Sequence, residues 1–161
     1  LAYWIKELQS GATLESIADR FHAAGMTFGV YEAGMSNEAY VAAVYDHLLA
    51  RGPGHAQQPT SSEIAWWANR LEHGGLTRAG MVLEMLEAVH TTYADDPDYG
   101  WVGDLLANKA ALANYYAVEQ GLGRLTSQED IAFGRQLADL VTPEGFDAAI
   151  ALIGLGDAAA G

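Results

Sequence analysis

The sequence has no cysteine among its 161 residues. Disulfide bonds, cysteine-ligated zinc and thiol catalysis are therefore excluded. Basic residues are also scarce, since eight Lys and Arg stand against 21 Asp and Glu and the formal net charge is −13. A chain this acidic is repelled by nucleic acid and by anionic membrane surfaces, so neither is expected as a partner.

Long apolar runs are missing as well. No stretch approaches the roughly 18 apolar residues that span a bilayer, so no membrane insertion is expected. The first four residues, Leu1-Ala2-Tyr3-Trp4, lack both the basic start and the apolar run of a signal peptide, and there is no initiator Met. We therefore expect the chain to be a segment of a larger protein. Half of its residues are hydrophobic, which is enough to form a buried core without covalent cross-links.

Apolar residues recur every three or four positions along nearly the whole chain, a spacing that predicts helices. Thr13, Ser36 and Thr77 stand where they can cap the helices that follow, and two capping boxes, Thr60 with Glu63 and Thr126 with Glu129, each predict the start of a helix. A long helix is expected over residues 101–120, with Gly121 as its C-cap. Pro143 after Thr142 is expected at the first position of the last helix, because proline is tolerated there.

An internal repeat is the most informative pattern. Ala2, Trp4, Leu8 and Gly11 recur 63 residues later, and Thr13 recurs 64 residues later, as Ala65, Trp67, Leu71, Gly74 and Thr77. Each copy predicts a helix, a glycine turn, a threonine cap and a second helix. We therefore expect one all-α domain (1–161) of stacked helical hairpin repeats with a C-terminal helical cap. Its parts are the end of a first repeat (1–25), a second repeat (36–92) and a C-terminal helical segment (98–155).

The second copy carries a set of spaced residues that resembles a known helical repeat of bacterial secreted proteins. These are Tyr40-Val41, Val44-Tyr45, Leu48-Leu49, Arg51, Trp66-Trp67, Leu71 and Gly74. The family is a domain of unknown function, the four-two-one-four family. Its usual pattern is Leu-Tyr, Leu-Gly-Arg, Pro-Asp and Tyr-Trp, and then a Leu and a Gly. With the later segment around Asn108-Lys109 and Tyr115-Tyr116, the resemblance covers residues 1–25 and 36–155.

The chain departs from this pattern in the Leu-Gly-Arg part, in the Pro-Asp part and in the loop that follows them. Ala50 stands where the family usually has glycine, no Asp follows Pro53, and the loop to Trp66 is longer than usual. Any role that the family assigns to that loop is therefore not carried over.

The resemblance implies a location and a class of protein rather than a reaction. Proteins with this repeat are large exported proteins of Gram-negative bacteria, including hemolysin-like calcium-binding proteins, adhesins and S-layer subunits. It implies a secreted, extracellular or cell-surface chain, exported by type I secretion, whose partners are other domains or copies of the parent protein. The expected function is a non-catalytic structural or adhesive module. The alternative is an anchor that binds a cell-surface glycan or lipopolysaccharide.

No motif for catalysis is present. The five histidines show no His-x3-His or His-Glu-x2-His spacing, and there is no Gly-x-Ser-x-Gly elbow. We therefore expect no enzyme.

The acidic turn from Asp95 to Gly100 is the candidate for a cation. Calcium takes six to eight oxygen ligands, and Asp95, Asp96, Asp98 and Asp104 cluster here. The spacing is not that of an EF-hand. The alternative is a solvated turn in which Asp98 or a neighbour caps the next helix. Calcium is the one cofactor that the sequence suggests.

Three residues are candidates for a glycan contact: Trp66, Tyr116 and Asn108. Neighbouring residues on a helix point about 100° apart, so one of Trp66 and Trp67 is expected to be partly exposed. Exposed aromatic faces stack on sugar rings. The alternatives are core packing for the aromatics and, for Asn108, a buried amide that bonds a neighbouring loop while Lys109 reaches to solvent.

Overall fold

The computed structural model describes residues 10–27, 31–32, 34–119, 121 and 128–159. These residues are helical and contain no β-strand, only an isolated bridge between Thr142 and Gly145. The all-α class is confirmed. The first helix of the first repeat copy and the Thr126-Ser127 start of a predicted helix lie outside the described residues.

The helices fall into two compact units, one ending at Tyr93 and the other starting at Ala94. The first unit holds α1 Leu14–Thr27, α2 Asn37–His47, α3 Ser61–His73 and α4 Arg78–His90. The second holds α5 Trp101–Asn114, α6 Gln128–Asp139 and α7 Asp147–Ala159. The predicted single domain and its subdivision stay predictions. None of the helices in the described part of the chain has the length and apolarity to cross a bilayer.

In the first unit, α1 packs against α4, α2 packs against α3, and α3 and α4 form a hairpin. Local side chains start each of these helices as predicted. The Thr13 hydroxyl accepts the Ser16 N–H at 3.1 Å, and the Thr77 hydroxyl accepts the Gly80 N–H at 2.9 Å. The capping box is complete, because Glu63 also accepts the Thr60 N–H at 2.7 Å. Thus α1 and α4, which are equivalent in the proposed repeat, begin alike and pack together; the repeat itself stays a prediction.

The α2–α3 connection begins with a strained residue. Ala50 has φ +53°, a left-handed conformation that glycine adopts without steric cost. The next residue, Arg51, donates its backbone N–H to the Tyr45 carbonyl at 2.8 Å, so the turn satisfies a carbonyl at the end of α2. The left-handed backbone at position 50 therefore explains why the resembled family usually has glycine there.

Replacing Ala50 by glycine is expected to raise the free energy of unfolding by about 0.5–1 kcal/mol. The left-handed conformation costs an L-residue roughly 1–2 kcal/mol, and the greater freedom of unfolded glycine offsets part of the gain. Urea denaturation measures the difference. Ala65→Gly, on the exposed side of α3, is the matched control and should lose about 0.5–1 kcal/mol. A loss at both positions would contradict the strain.

The second unit departs from the sequence prediction at two places. The predicted helix over 101–120 is regular only to Asn114 and continues as a π-helical turn over Tyr115–Glu119. The last helix starts at Asp147 rather than at Thr142-Pro143. Thr142 and Gly145 instead exchange two backbone hydrogen bonds, of 2.9 and 3.2 Å, which close a tight turn before α7.

Candidate functional site

Trp66 is an exposed aromatic side chain in the middle of α3. Its exposed fraction is 55%, whereas the neighbouring Trp67 is half-buried. The two indoles meet edge to face, with their centroids 4.6 Å apart. The prediction that one member of this pair is partly exposed is confirmed. Single exposed apolar side chains are common on protein surfaces, so the case for a contact surface depends on the residues around Trp66.

Arg70 supports both indoles from the next turn of α3. Its guanidinium carbon lies 4.9 Å from the Trp66 ring centroid and 5.2 Å from that of Trp67, within the range of cation–π attraction. The same guanidinium donates two hydrogen bonds to Glu84 of α4, at 2.5 and 3.0 Å. This bidentate pair fixes the orientation of Arg70 across the α3–α4 hairpin and raises the pKa of its guanidinium.

Further polar residues follow Trp66 along the same side of α3. Residues three, four and seven positions apart share one face of a helix, which places Asn69, Arg70 and His73 with Trp66. Asn69 and His73 are exposed and Arg70 is half-buried. We call these four residues, together with Glu84, the Trp66 surface. It combines an indole, an amide, an imidazole and an ion pair.

Trp67 connects this surface to the core. Its indole lies near the hydroxyl of the buried Tyr45 on α2. Burial raises the pKa of Tyr45, and the Trp67 indole beside its hydroxyl has a smaller, opposite effect. The guanidinium carbon of Arg51 lies 5.0 Å from the Tyr45 ring centroid. Trp67 therefore links the Trp66 surface to the buried Tyr45 and Arg51.

A second set of aromatic residues joins α1, α2 and α4. The ring of His22 lies 5.2 Å from Tyr40 and 5.7 Å from Tyr31, and the guanidinium carbon of Arg78 lies 4.6 Å from the Tyr40 ring centroid. We call these four residues the Tyr40 cluster. The His22 Nδ1 atom is buried and finds no hydrogen-bond partner in the described part of the chain. Burial, and then the charge of Arg78, lower the pKa of His22 below its ordinary value of 6.5, against the effect of Asp19.

The buried position of His22 predicts that protonation of its ring at acidic pH destabilises the Tyr40 cluster. Because the folded chain binds the His22 proton less tightly than the unfolded chain does, the free energy of unfolding should fall as the pH drops from 6.5 through the lower folded pKa. His22→Gln removes this proton, so its stability should change less between pH 7.5 and 5 than that of the wild-type chain. His47→Gln, at an exposed position, serves as the control. Equal pH dependence of His22→Gln and the wild type would contradict the prediction.

Two of the predicted glycan residues lie in the second unit and are engaged there. The Asn108 side-chain amide donates to the carbonyls of Thr142 and Pro143, at 3.0 and 2.9 Å. This is the loop-binding role given above as the alternative, and it explains why the turn before α7 is fixed. Tyr116 is half-buried with its ring 6.3 Å from Phe133. Trp66 lies in the first unit and therefore belongs to a different compact unit from Asn108 and Tyr116.

The acidic turn is organised by backbone hydrogen bonds. The Asp96 carboxylate accepts the N–H groups of Asp98 and Tyr99, at 2.8 and 3.0 Å, and the Asp98 carbonyl accepts the Trp101 indole N–H at 3.0 Å. These bonds order the turn before α5, but the helix itself starts after Gly100 without a side-chain cap, so the expected capping by Asp98 or a neighbour is wrong. Among the described residues, no three side chains of His, Asp or Glu are grouped to hold a metal ion. A calcium site of Asp95, Asp96, Asp98 and Asp104 stays a prediction without geometric support.

Comparison with known proteins gives one match. Residues 27–91 match the family described as Domain of unknown function (DUF4214). The matched stretch contains the whole Trp66 surface and accounts for less than half of the chain. No curated protein and no solved structure matches the chain.

Sequence reasoning missed Arg70 and Glu84, although two signals were present. Arg70 stands four positions after Trp66, the spacing of a cation–π pair on a helix. The repeat alignment also places Glu7 at the position of Arg70 and Arg20 at that of Glu84, so the two copies carry opposite charges at equivalent positions. Such an exchange of charge is typical of residues that form an ion pair.

Proposed function

We propose that this chain is a non-catalytic adhesive module of a large secreted bacterial cell-surface or S-layer-type protein. The match of residues 27–91 to a domain of unknown function agrees with the helical repeat on which this proposal is based. The absence of catalytic motifs in the sequence supports a module rather than an enzyme. Location at the cell surface and export by type I secretion rest on the resemblance described above, and other domains or copies of the parent protein are the proposed partners.

The observation that carries the adhesive role is the exposure of Trp66 on a rigid support. Large aromatic residues and arginine dominate the binding energy of protein surfaces, because they contribute much contact area at a small entropic cost. Trp66 is 55% exposed while Arg70, Glu84 and Trp67 hold it in place. A residue maintained in this way contributes more to contact with a partner than to the stability of its own fold.

A second candidate function is an anchor for a cell-surface glycan or lipopolysaccharide. The polar neighbours of Trp66 favour it, because carbohydrate ligands need hydrogen-bonding groups beside an apolar face. Asn69 and His73 are exposed on the same side of α3. Of the glycan residues predicted from the sequence, Trp66 alone is retained for this role, since the Asn108 amide is engaged by Thr142 and Pro143 and Tyr116 is half-buried beside Phe133.

Trp66→Ala tests the adhesive role. The variant should keep the helical circular dichroism and the melting temperature of the wild type within a few degrees, because the side chain is mostly in solvent. Binding to outer-membrane preparations of a Gram-negative bacterium should fall about tenfold or more. The assay is run with calcium and again with chelator, so that a role for the acidic turn is detected separately. Wild-type binding by a folded variant would contradict the proposed contact, and loss of the fold would assign Trp66 to packing.

A further inference from the structure

The size of the exposed apolar area at Trp66 limits the ligand. The large hydrophobic side chains that are exposed in the described residues are Leu14, Trp66 and Tyr93. Leu14 starts α1 and Tyr93 follows α4, so Trp66 is the exposed large apolar side chain of α3. A stable protein interface buries about 800 Å² on each partner around an apolar centre. One indole with polar neighbours could serve as the centre of such an interface, but by itself it matches the size of a single ring of a small ligand.

The chemistry of the surface suits a sugar ring. The face of an aromatic ring carries partial negative charge, and the axial C–H groups on one side of a pyranose carry partial positive charge. Stacking on Trp66 would cover that side and leave the equatorial hydroxyls to neighbouring polar groups. Asn69 offers an acceptor and two donors, and His73 offers a ring nitrogen of each kind when neutral. Both are exposed, three and seven positions from Trp66.

The charges of the surface favour a neutral sugar over an acidic one. The positive charge of Arg70 is compensated by the Glu84 carboxylate, which accepts two hydrogen bonds from it, so within the Trp66 surface no unpaired arginine faces an incoming carboxylate or phosphate. The chain as a whole carries −13 and repels anions. A fixed guanidinium also reduces the entropy lost on binding, because the indole is already held in position.

We propose that the Trp66 surface binds one pyranose ring of a neutral hexose glycan. Trp66 stacks on the C–H face of the ring, and the Asn69 amide and the His73 imidazole hydrogen-bond its hydroxyls. Arg70 and Glu84 are positioning residues that hold the indole. This inference rests on the glycan-anchor candidate and names its ligand class and contact residues.

The test uses the whole chain and isothermal titration with two sets of oligosaccharides: neutral hexose oligomers, and uronic acid oligomers of the same length. The wild type should bind at least one neutral oligomer, and Trp66→Ala and Asn69→Ala should each weaken that binding about tenfold. Leu14→Ala, another exposed apolar side chain, is the matched control and should bind as the wild type does.

Glu84→Gln makes the test specific for charge. It keeps a hydrogen-bond acceptor for Arg70 but leaves the guanidinium charge uncompensated, so the affinity for uronic acid oligomers should rise relative to that for neutral oligomers. Preference of the wild type for the acidic oligomers would overturn the ligand class. Unchanged binding by folded Trp66→Ala would overturn the site while leaving a glycan anchor in place. If no sugar binds and Trp66 is still needed for attachment to cell surfaces, the inference fails and the adhesive role stands.

Discussion

Replacing Tyr40 by alanine is expected to lower the free energy of unfolding by about 3–5 kcal/mol, the largest effect of any substitution considered for this chain. Tyr40 is 1% exposed, and its ring contacts His22 of α1, Tyr31 and Arg78 of α4. Truncation removes the shared partner of all three and leaves a cavity that the helices cannot fill. Urea denaturation followed by circular dichroism measures the loss.

Two further variants measure separately how much the Tyr40 hydroxyl and the burial of the Tyr40 ring contribute to stability. Tyr40→Phe keeps the ring and should lose less than about 1.5 kcal/mol. Tyr93→Ala removes the same atoms at a position that is 41% exposed and should lose less than about 1 kcal/mol. Equal losses for Tyr40→Ala and Tyr93→Ala would contradict a packing role for the Tyr40 cluster.

Replacing Arg51 by alanine is expected to lower the free energy of unfolding by about 3 kcal/mol, because it breaks a buried polar network. Arg51 is 8% exposed and donates through Nε to the Gln57 carbonyl at 2.7 Å. Its Nη2 lies 3.7 Å from a carboxylate oxygen of Glu63. Burial tends to raise the pKa of Glu63, but the Thr60 hydrogen bonds and the Arg51 charge outweigh it, and the pKa is lowered. Without Arg51, the loop before α3 loses its anchor.

Arg51→Lys distinguishes charge from geometry. Lysine keeps the positive charge but has neither the planar fork nor the Nε–H that reaches Gln57, so an intermediate loss is expected. Arg135→Ala, at an exposed position of α6, controls for the removal of an arginine and should change stability by less than about 0.5 kcal/mol. Wild-type stability in Arg51→Lys would show that the bond to Gln57 contributes nothing.

The local signals of the sequence were sufficient to place most helix starts. A threonine cap or a capping box acts between residues three positions apart, so Thr13, Ser36, Thr60 and Thr77 act through the chain next to them. The same reasoning failed at Pro143. Proline is suited to the first position of a helix, yet the carbonyls of Thr142 and Pro143 accept hydrogen bonds from Asn108, 34 and 35 residues earlier. A distant side chain decided the conformation there.

The sequence by itself determined that this is a helical chain of acidic character, that α3 starts at a capping box, and that Trp66 and Trp67 face different directions. Helical geometry fixes those directions, because neighbouring residues differ by about 100° around the axis. Only the tertiary structure decided which indole is exposed. The Trp67 indole lies near the buried Tyr45 of α2, while Glu84 on α4 holds Arg70 beside the exposed Trp66. Periodicity separates two faces of a helix, but only packing against other helices selects the face that meets solvent.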